Sequence, residues 1–156
     1  MAKTKLKIYL DSTIPNYVFN DEYPEKQKSA KLLFNSIGQK RVLAFISPVT
    51  VYEVKGSDEP KQANMLKLLE ACTFFQETPG AEKLAIDYIK QQRVFTKTNR
   101  EDARHVAYAV YYGVDIIVSY NFSHIVRLST IKKLQAANLI LGYQTPEIRS
   151  PEEIDI

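Results

Sequence analysis

Polar and apolar residues alternate along the N-terminal segment 5–10, and the alternation stops at an acid. Leu6, Ile8 and Leu10 form the apolar face, which predicts a short β-strand. Asp11 follows directly, and residues 12–15 (Ser-Thr-Ile-Pro) are typical of a turn and a helix start. Ligands of open parallel α/β sheets bind beyond the carboxyl ends of the strands, so Asp11 is a candidate binding residue. The alternative is that Asp11 only caps the next helix.

Helices and further strands alternate along the rest of the chain. Apolar residues at helical spacing predict helices over 14–19, 24–38, 49–55, 60–69, 84–94, 99–113 and 131–139. Apolar runs predict strands over 41–47, 72–75, 115–119 and 139–143, and the tail 145–154 is expected to be irregular or briefly helical. This alternation predicts one α/β domain over residues 1–156, built around a parallel sheet.

Glu53 is a second acid near a strand end. It lies one helical turn after Val49, close to the predicted end of the second strand, and a carboxylate beside an apolar stripe is rarely unpaired. The alternative is a position at the rim, where Glu53 reaches solvent or pairs with Lys55 or Lys61.

Asp102 is a third acid, in the first turn of a predicted helix that begins after Asn99. It heads an apolar stripe, but it could also complete a capping box with Asn99 or favour the helix dipole. Asn121 follows the fourth strand. His105 favours a packing or hydrogen-bonding role over that of a base, and His124 favours a surface role at least as much as contact with a phosphate.

Composition sets limits on the class of protein. Apolar residues make up 45% and charged residues 25% of the 156 positions, which is ordinary for a globular domain. No apolar run approaches the roughly 18 residues that span a bilayer, so we expect no membrane partner. Cys72 is the single cysteine, and Met1–Lys5 carries no apolar signal region. Both observations lead us to expect a cytoplasmic protein. The net charge of +3 permits a nucleic-acid partner without requiring one.

Three acids and one amide are therefore expected at one edge of the sheet: Asp11, Glu53, Asp102 and Asn121. Carboxylates that converge repel one another and need a cation or a proton. Oxygen ligands without clustered Cys or His favour Mg²⁺ or Mn²⁺ over Zn²⁺. Such ions support hydrolysis of phosphate esters, and basic residues near this edge in the sequence favour a polymeric substrate: Lys55, Lys61, Arg100, Arg104 and Arg127.

Four segments together resemble the PIN-domain family, the nuclease fold of VapC-type toxins from toxin–antitoxin systems. They are Ile8–Ser12, Ser47–Val54, Glu101–Ala109 and Ile117–Phe122, and they occur in the family's order, so the resemblance extends over nearly the whole chain. The resemblance implies an α/β/α sandwich around a parallel sheet and a Mg²⁺- or Mn²⁺-dependent endoribonuclease that cuts RNA. It also implies an antitoxin partner and a homodimer. By position, Asp11, Glu53 and Asp102 would bind the metal, with Ser12 and Ser119 as nearby hydroxyls.

Asn121 departs from the family pattern, because many members carry an acid there. The missing charge weakens the case for a second tightly held metal and favours an alternative, a PIN-like module that binds RNA or protein without cutting. A haloacid-dehalogenase-like phosphatase would need a second Asp where Thr13 stands. A receiver-like signalling domain would need an acidic pair before Asp11 and a late Lys, and neither is evident.

Overall fold

Strands and helices alternate along the chain as the hydrophobic pattern predicts. The computed structural model describes residues 4–155. Its strands are β1 (Lys7–Leu10), β2 (Leu43–Ile46), β3 (Thr73–Phe74), β4 (Ile116–Val118) and β5 (Glu147–Arg149). Its helices are α1 (Thr13–Val18), α2 (Pro24–Gly38), α3 (Pro48–Lys55), α4 (Lys61–Leu69), α5 (Pro79–Lys90), α6 (Arg100–Tyr112) and α7 (Leu128–Leu141). Short 3₁₀ helices span Lys97–Asn99 and Pro151–Glu153.

The five strands form one parallel sheet in the order β3-β2-β1-β4-β5. The chain starts in the centre, adds β2 and β3 on one side, and then returns to add β4 and β5 on the other. The direction of winding therefore reverses between β1 and β4. The carboxyl ends of the two strands beside such a reversal form the crevice in which α/β proteins bind ligands. Asp11 and Ser119 each follow one of these two strands.

Helices cover both faces of the sheet. Ile8 and Leu10 are fully buried against α1, α2 and α4, whereas Tyr9 between them is fully buried in a second core with α5, α6 and α7. Complete burial of an apolar side chain the size of Ile or Leu stabilises a fold by about 1.5–3 kcal/mol, so each face holds its own helix layer firmly. The predicted three-layer α/β/α sandwich is confirmed.

Two helices begin close to the edge where the strands end. At the start of α3 the Ser47 side chain accepts a hydrogen bond from the Val49 N–H at 3.2 Å, and Pro48 occupies the first helical position, as the Ser-Pro pair predicts. The helix α6 ends at Gly113, which adopts a left-handed φ of 73°. Because α6 ends just before β4 begins, its first turn, with Asp102, lies at the edge where the strands end, and α3, with Glu53, begins at that edge directly after β2.

The C-terminal part of the chain differs from the prediction. The predicted strand 139–143 is wrong: helix α7 continues to Leu141 and ends at Gly142, which has a φ of 84°. Leu139 and Ile140 are 85% and 73% exposed, so their apolar character does not come from a buried strand. The last strand is β5 instead, within the tail that was expected to be irregular, and its Ile148 pairs with Ile117 of β4.

No helix within residues 4–155 is long and apolar enough to cross a membrane. The prediction of a single domain covers residues 1–156, and its residues 1–3 and 156 lie outside the described part of the chain. The first three residues of Met1–Lys5, the segment expected to lack a signal region, also lie outside the described part of the chain.

Candidate active site

Asp11 lies in the crevice between β1 and β4 and is 1% exposed. One of its carboxylate oxygens accepts hydrogen bonds from the N–H and the hydroxyl of Thr13, and the other accepts from the hydroxyl of Ser119, just past β4. The Thr13 hydroxyl also accepts a hydrogen bond from the Tyr120 N–H at 2.9 Å. Asp11 therefore helps to start α1, as the capping interpretation expects, and also joins β1 to the loop after β4.

Asp102 lies in the first turn of α6 and meets that same loop. Its Oδ1 accepts a hydrogen bond from Asn121 Nδ2 at 3.1 Å, while Asn121 Oδ1 accepts from the His124 N–H at 3.0 Å. Asn99 makes no side-chain cap at the start of α6, and its amide contacts His124 Nδ1 at 3.3 Å instead. Asn99 thus occupies the N-cap position, as the sequence predicts, but no capping box forms, and the side-chain partner of Asp102 is Asn121 in the loop after β4.

Glu53 on α3 contacts residues of both the β1–α1 turn and α6. Its Oε1 accepts a hydrogen bond from the Ser12 hydroxyl at 3.0 Å and forms an ion pair with His105 Nε2 of α6. Since a carboxylate only accepts hydrogen bonds, His105 must carry a proton on Nε2. The interpretation of Glu53 as a rim residue paired with Lys55 or Lys61 is thus replaced by a pairing with Ser12 and His105.

A buried polar chain extends from His105 below the crevice. The Tyr9 hydroxyl lies 2.6 Å from His105 Nδ1 and 2.7 Å from Ser47 Oγ, and Thr50 donates to the Leu10 carbonyl at 3.0 Å. His105 is 1% exposed, in agreement with the hydrogen-bonding role that the sequence favours. These contacts fix the His105 ring and, through it, the position of Glu53.

The carboxylates influence one another electrostatically. Burial raises the pKa of Asp102; the nearby histidines only partly offset this, and the charges of Asp11 and Glu53 raise it further. Burial likewise raises the pKa of Asp11. Burial alone would raise the pKa of Glu53 too, but the hydrogen bond and charge of His105 outweigh it and lower that pKa. The crevice therefore holds acids that compete for positive charge.

The predicted site residues thus meet in one crevice, but they do not form a ready-made cage for a cation. Among residues 4–155, no group of three or more His, Cys, Asp or Glu side chains is arranged to hold a metal ion together. Hydrogen bonds from described residues reach only one oxygen of Glu53 and one of Asp102. The remaining carboxylate oxygens are suitable ligands for Mg²⁺ or Mn²⁺. Mg²⁺ retains several waters and typically binds only one or two protein carboxylates together with substrate phosphates, so it does not require a complete protein cage.

Sequence reasoning missed two partners of the acids and misjudged one cation. Thr13 and Tyr9 were not assigned to the site, although the Asp-Ser-Thr spacing signals a hydroxyl that can reach back to Asp11. Arg104, expected to support a nucleic acid, is instead bound to Glu82 and Glu101 at 2.9 Å each.

Sequence comparison finds no protein-family model and no curated protein that matches this chain. Among solved structures, a chain of the crystal structure of VapBC2 from Rickettsia felis, bound to a DNA fragment from its promoter, shares the fold. The TM-score is 0.56 at 14% sequence identity, and the match covers 93% of this chain and 98% of that one. The whole α/β/α architecture, rather than a local motif, is therefore shared with a chain of a VapBC complex.

Proposed function

We propose that this protein is a PIN-like, metal-dependent endoribonuclease that hydrolyses RNA phosphodiesters. The observation that supports it best is the meeting of Asp11, Glu53, Asp102 and Asn121 in one crevice at the point where the sheet reverses direction. The fold shared with a VapBC2 chain adds support at the level of architecture.

Asp11 and Asp102, with Glu53, are the residues that would hold Mg²⁺ or Mn²⁺. When bound, such an ion supplies Lewis-acid chemistry, which lowers the pKa of water and offsets charge on phosphoryl oxygens. Ser119 and Thr13 keep the Asp11 carboxylate oriented.

The other polar residues prepare the same crevice. Ser12 and His105 fix one oxygen of Glu53 and leave the other without a described donor, and Asn121 does the same for Asp102. His105 also donates a hydrogen bond to Glu53, and this bond and the charge of His105 lower the pKa of Glu53 and favour its charged form.

We also propose a role as the toxin of a toxin–antitoxin pair, and the shared fold supports this role. The similar chain comes from a complex named VapBC2 and bound to promoter DNA. We therefore propose an antitoxin protein as partner, a homodimer as the assembled form, and the cytoplasm as the location. Co-purification with the product of a neighbouring small gene, and its inhibition of RNA cleavage, tests this assignment.

A second function, binding of RNA or protein without cleavage, has its own support. Asn121 donates to Asp102 where an acid would add charge, and no three acidic or histidine side chains of residues 4–155 are placed to share a cation. Binding of Mn²⁺ or RNA without cleavage of any RNA tested would select this function.

The deciding experiment compares cleavage of single-stranded and structured RNA with Mn²⁺, with Mg²⁺ and with EDTA. Asp102→Asn should abolish cleavage with little change in melting temperature, because it keeps a side-chain oxygen for Asn121 but loses its charge. Asp11→Asn should also abolish cleavage, but with a lower melting temperature, because both oxygens of this buried carboxylate accept hydrogen bonds. Asp115→Asn is the matched control, since Asp115 lies at the opposite edge of the sheet, where it accepts from the Lys7 N–H at 2.8 Å. Cleavage that persists in EDTA, or in Asp102→Asn, would overturn the mechanism.

A further inference from the structure

The ammonium group of Lys26 on α2 lies among four aromatic rings. Its Nζ is 5.1 Å from the ring centroid of Tyr17, 5.3 Å from that of Tyr23, 5.5 Å from that of Tyr120 and 5.2 Å from that of Phe122. We call these five residues the aromatic–lysine cluster. Significant cation–π pairs occur about once per 70–80 residues, so four on a single ammonium mark an unusual local concentration.

The cluster adjoins the candidate active site through three consecutive residues after β4. Tyr120 and Phe122 direct their rings to Lys26, whereas Asn121 between them directs its amide to Asp102. The Tyr120 N–H also donates to the Thr13 hydroxyl, which in turn contacts Asp11. The cluster therefore lies directly beside the acids.

Part of the cluster is open to solvent and carries unneutralised charge. The Tyr23 and Phe122 residues are 48% and 47% exposed, whereas Tyr120 is 5% exposed and its hydroxyl is bound to Glu152 at 2.7 Å. Lys26 takes part in none of the ion pairs formed within residues 4–155. Tyr23 packs against Tyr17 and Phe122 against Tyr120, with ring centroids 5.7 Å and 6.3 Å apart, and about half of each residue nevertheless stays exposed beside the ammonium group.

We propose that the aromatic–lysine cluster binds single-stranded RNA beside the acidic crevice, with a nucleobase stacked on the exposed rings of Tyr23 and Phe122 and a phosphate attracted by Lys26. This inference rests on the proposed ribonuclease function and adds a substrate subsite to it. Sites for single-stranded nucleic acid combine aromatic faces with positive charge in this way, and every base offers a face to stack. The position next to the acids favours RNA over a protein partner.

The test measures binding of fluorescently labelled single-stranded RNA oligonucleotides by anisotropy, in EDTA so that cleavage is absent. One oligonucleotide carries all its bases, and the others each lack one base at a successive position. Wild-type protein should bind at least one of these abasic versions about 5- to 150-fold more weakly, the range expected for one stacked base. Phe122→Leu and Tyr23→Leu should weaken binding of the intact oligonucleotide to a similar extent.

The signature of stacking is the combination of the two changes. Phe122→Leu should lose little further affinity for the abasic oligonucleotide that the wild type binds weakly, because ring and base contribute to the same contact. Lys26→Met should weaken binding of every oligonucleotide and reduce the salt dependence of affinity by about 0.7 in the log–log slope. Tyr111→Leu is the control, since Tyr111 is 40% exposed near the far end of α6.

Each outcome bears on the proposal separately from the nuclease function. Unchanged affinity in Phe122→Leu and Tyr23→Leu overturns it, even if both variants melt at a lower temperature, because the cluster is then purely structural. If the variants do not fold, the wild-type protein alone decides. The proposal is overturned if the wild type binds all abasic oligonucleotides with equal affinity, or if it binds no RNA. If the wild type cleaves RNA but binds all abasic oligonucleotides equally well, the nuclease function stands and the subsite is refuted. If it binds one abasic oligonucleotide more weakly but cleaves no RNA, the subsite stands and the nuclease function is refuted.

Discussion

Replacement of Glu82 by glutamine should loosen the contact between α5 and α6, the helix that carries Asp102. Glu82 Oε1 accepts a hydrogen bond from Arg104 Nε at 2.9 Å. Its Oε2 accepts from Arg104 Nη2 at 3.1 Å and from the Tyr108 hydroxyl at 2.6 Å. The carboxylate of an α5 residue is thus held by two residues of α6.

The expected loss follows from these bonds. The side chains of Glu82 and Arg104 are only 26% and 17% exposed, so solvent screens the pair less than it screens a surface pair. Hydrogen bonds to charged groups contribute about 1.5–3 kcal/mol, and glutamine would turn an NH₂ group towards donors. At about 2–4 °C per kcal/mol for a protein of this length, Glu82→Gln should lower the melting temperature by about 3–12 °C.

The pH dependence of this difference has a defined sign. Burial would raise the pKa of Glu82, but the hydrogen bonds from Arg104 and Tyr108, with the charge of Arg104, lower it below its ordinary value of 4.5. A carboxyl group whose pKa is lower in the folded state stabilises the fold above the unfolded-state pKa. This stabilisation is lost as the pH falls through the folded-state pKa, so wild type and variant should converge in acid.

Thermal unfolding followed by circular dichroism, from neutral to acidic pH, measures both effects. Glu147→Gln is the matched control, because Glu147 lies 3.8 Å from Arg149 with side chains 63% and 42% exposed, and such pairs contribute little. The reasoning is refuted if Glu82→Gln melts within about 1 °C of the wild type at neutral pH, a shift smaller than even 1 kcal/mol would produce. It is also refuted if the difference does not shrink in acid.

Three further predictions concern single positions. Gly113→Ala should destabilise the fold by about 1–2 kcal/mol, because alanine is strained at a φ of 73°. Gly38→Ala is the control and should not destabilise it, because the added Cβ meets open space and φ is not left-handed. Equal melting temperatures of the two variants would contradict this prediction. Burial raises the pKa of the Cys72 thiol to about 12. Iodoacetamide should therefore alkylate Cys72 slowly in the native protein and rapidly in urea. Equal alkylation rates in the two conditions would show an accessible thiolate. Asn121→Asp should place a second carboxylate against Asp102. Their repulsion should lower the melting temperature in EDTA, and the added charge should tighten Mn²⁺ binding measured by calorimetry. Unchanged Mn²⁺ affinity would show that Asn121 does not belong to the site.

Four of the five strands are predicted from the sequence, and three of them, β1, β2 and β4, are buried or partly buried on both faces, whereas β3 is exposed. Residues 44–46 and 116–118 lie within apolar runs, and such runs are typical of parallel strands covered by helices. Residues 8–10 instead belong to an alternating segment, in which Tyr9 is buried as completely as Ile8 and Leu10. β5 lies at the edge of the sheet, and only Ile148 in it is buried, between charged neighbours. A three-residue edge strand of this kind carries almost no periodic signal, whereas the exposed Leu139 and Ile140 imitate one.

The candidate site shows the same division between what is local and what depends on the fold. The position of Asp11 after a strand and of Asp102 in a first helical turn follows from nearby residues, so the sequence predicts both. The partner of each acid lies far away in the chain: Glu53 pairs with His105, 52 residues on, and Asp11 with Ser119, 108 residues on. Such pairings depend on how α3, α6 and the loop after β4 pack together, which no local pattern specifies.

The four residues after β4 show how closely the crevice and the aromatic–lysine cluster depend on one backbone path. Ser119 donates to Asp11 and accepts from the Asn121 N–H at 2.9 Å, which fixes the turn of the loop. Because of that turn, Asn121 faces Asp102 while Tyr120 and Phe122 face Lys26. A one-residue insertion after Ser119 would exchange these directions and disturb the acids and the rings together. One backbone path therefore positions both the amide that meets Asp102 and two of the rings that face Lys26.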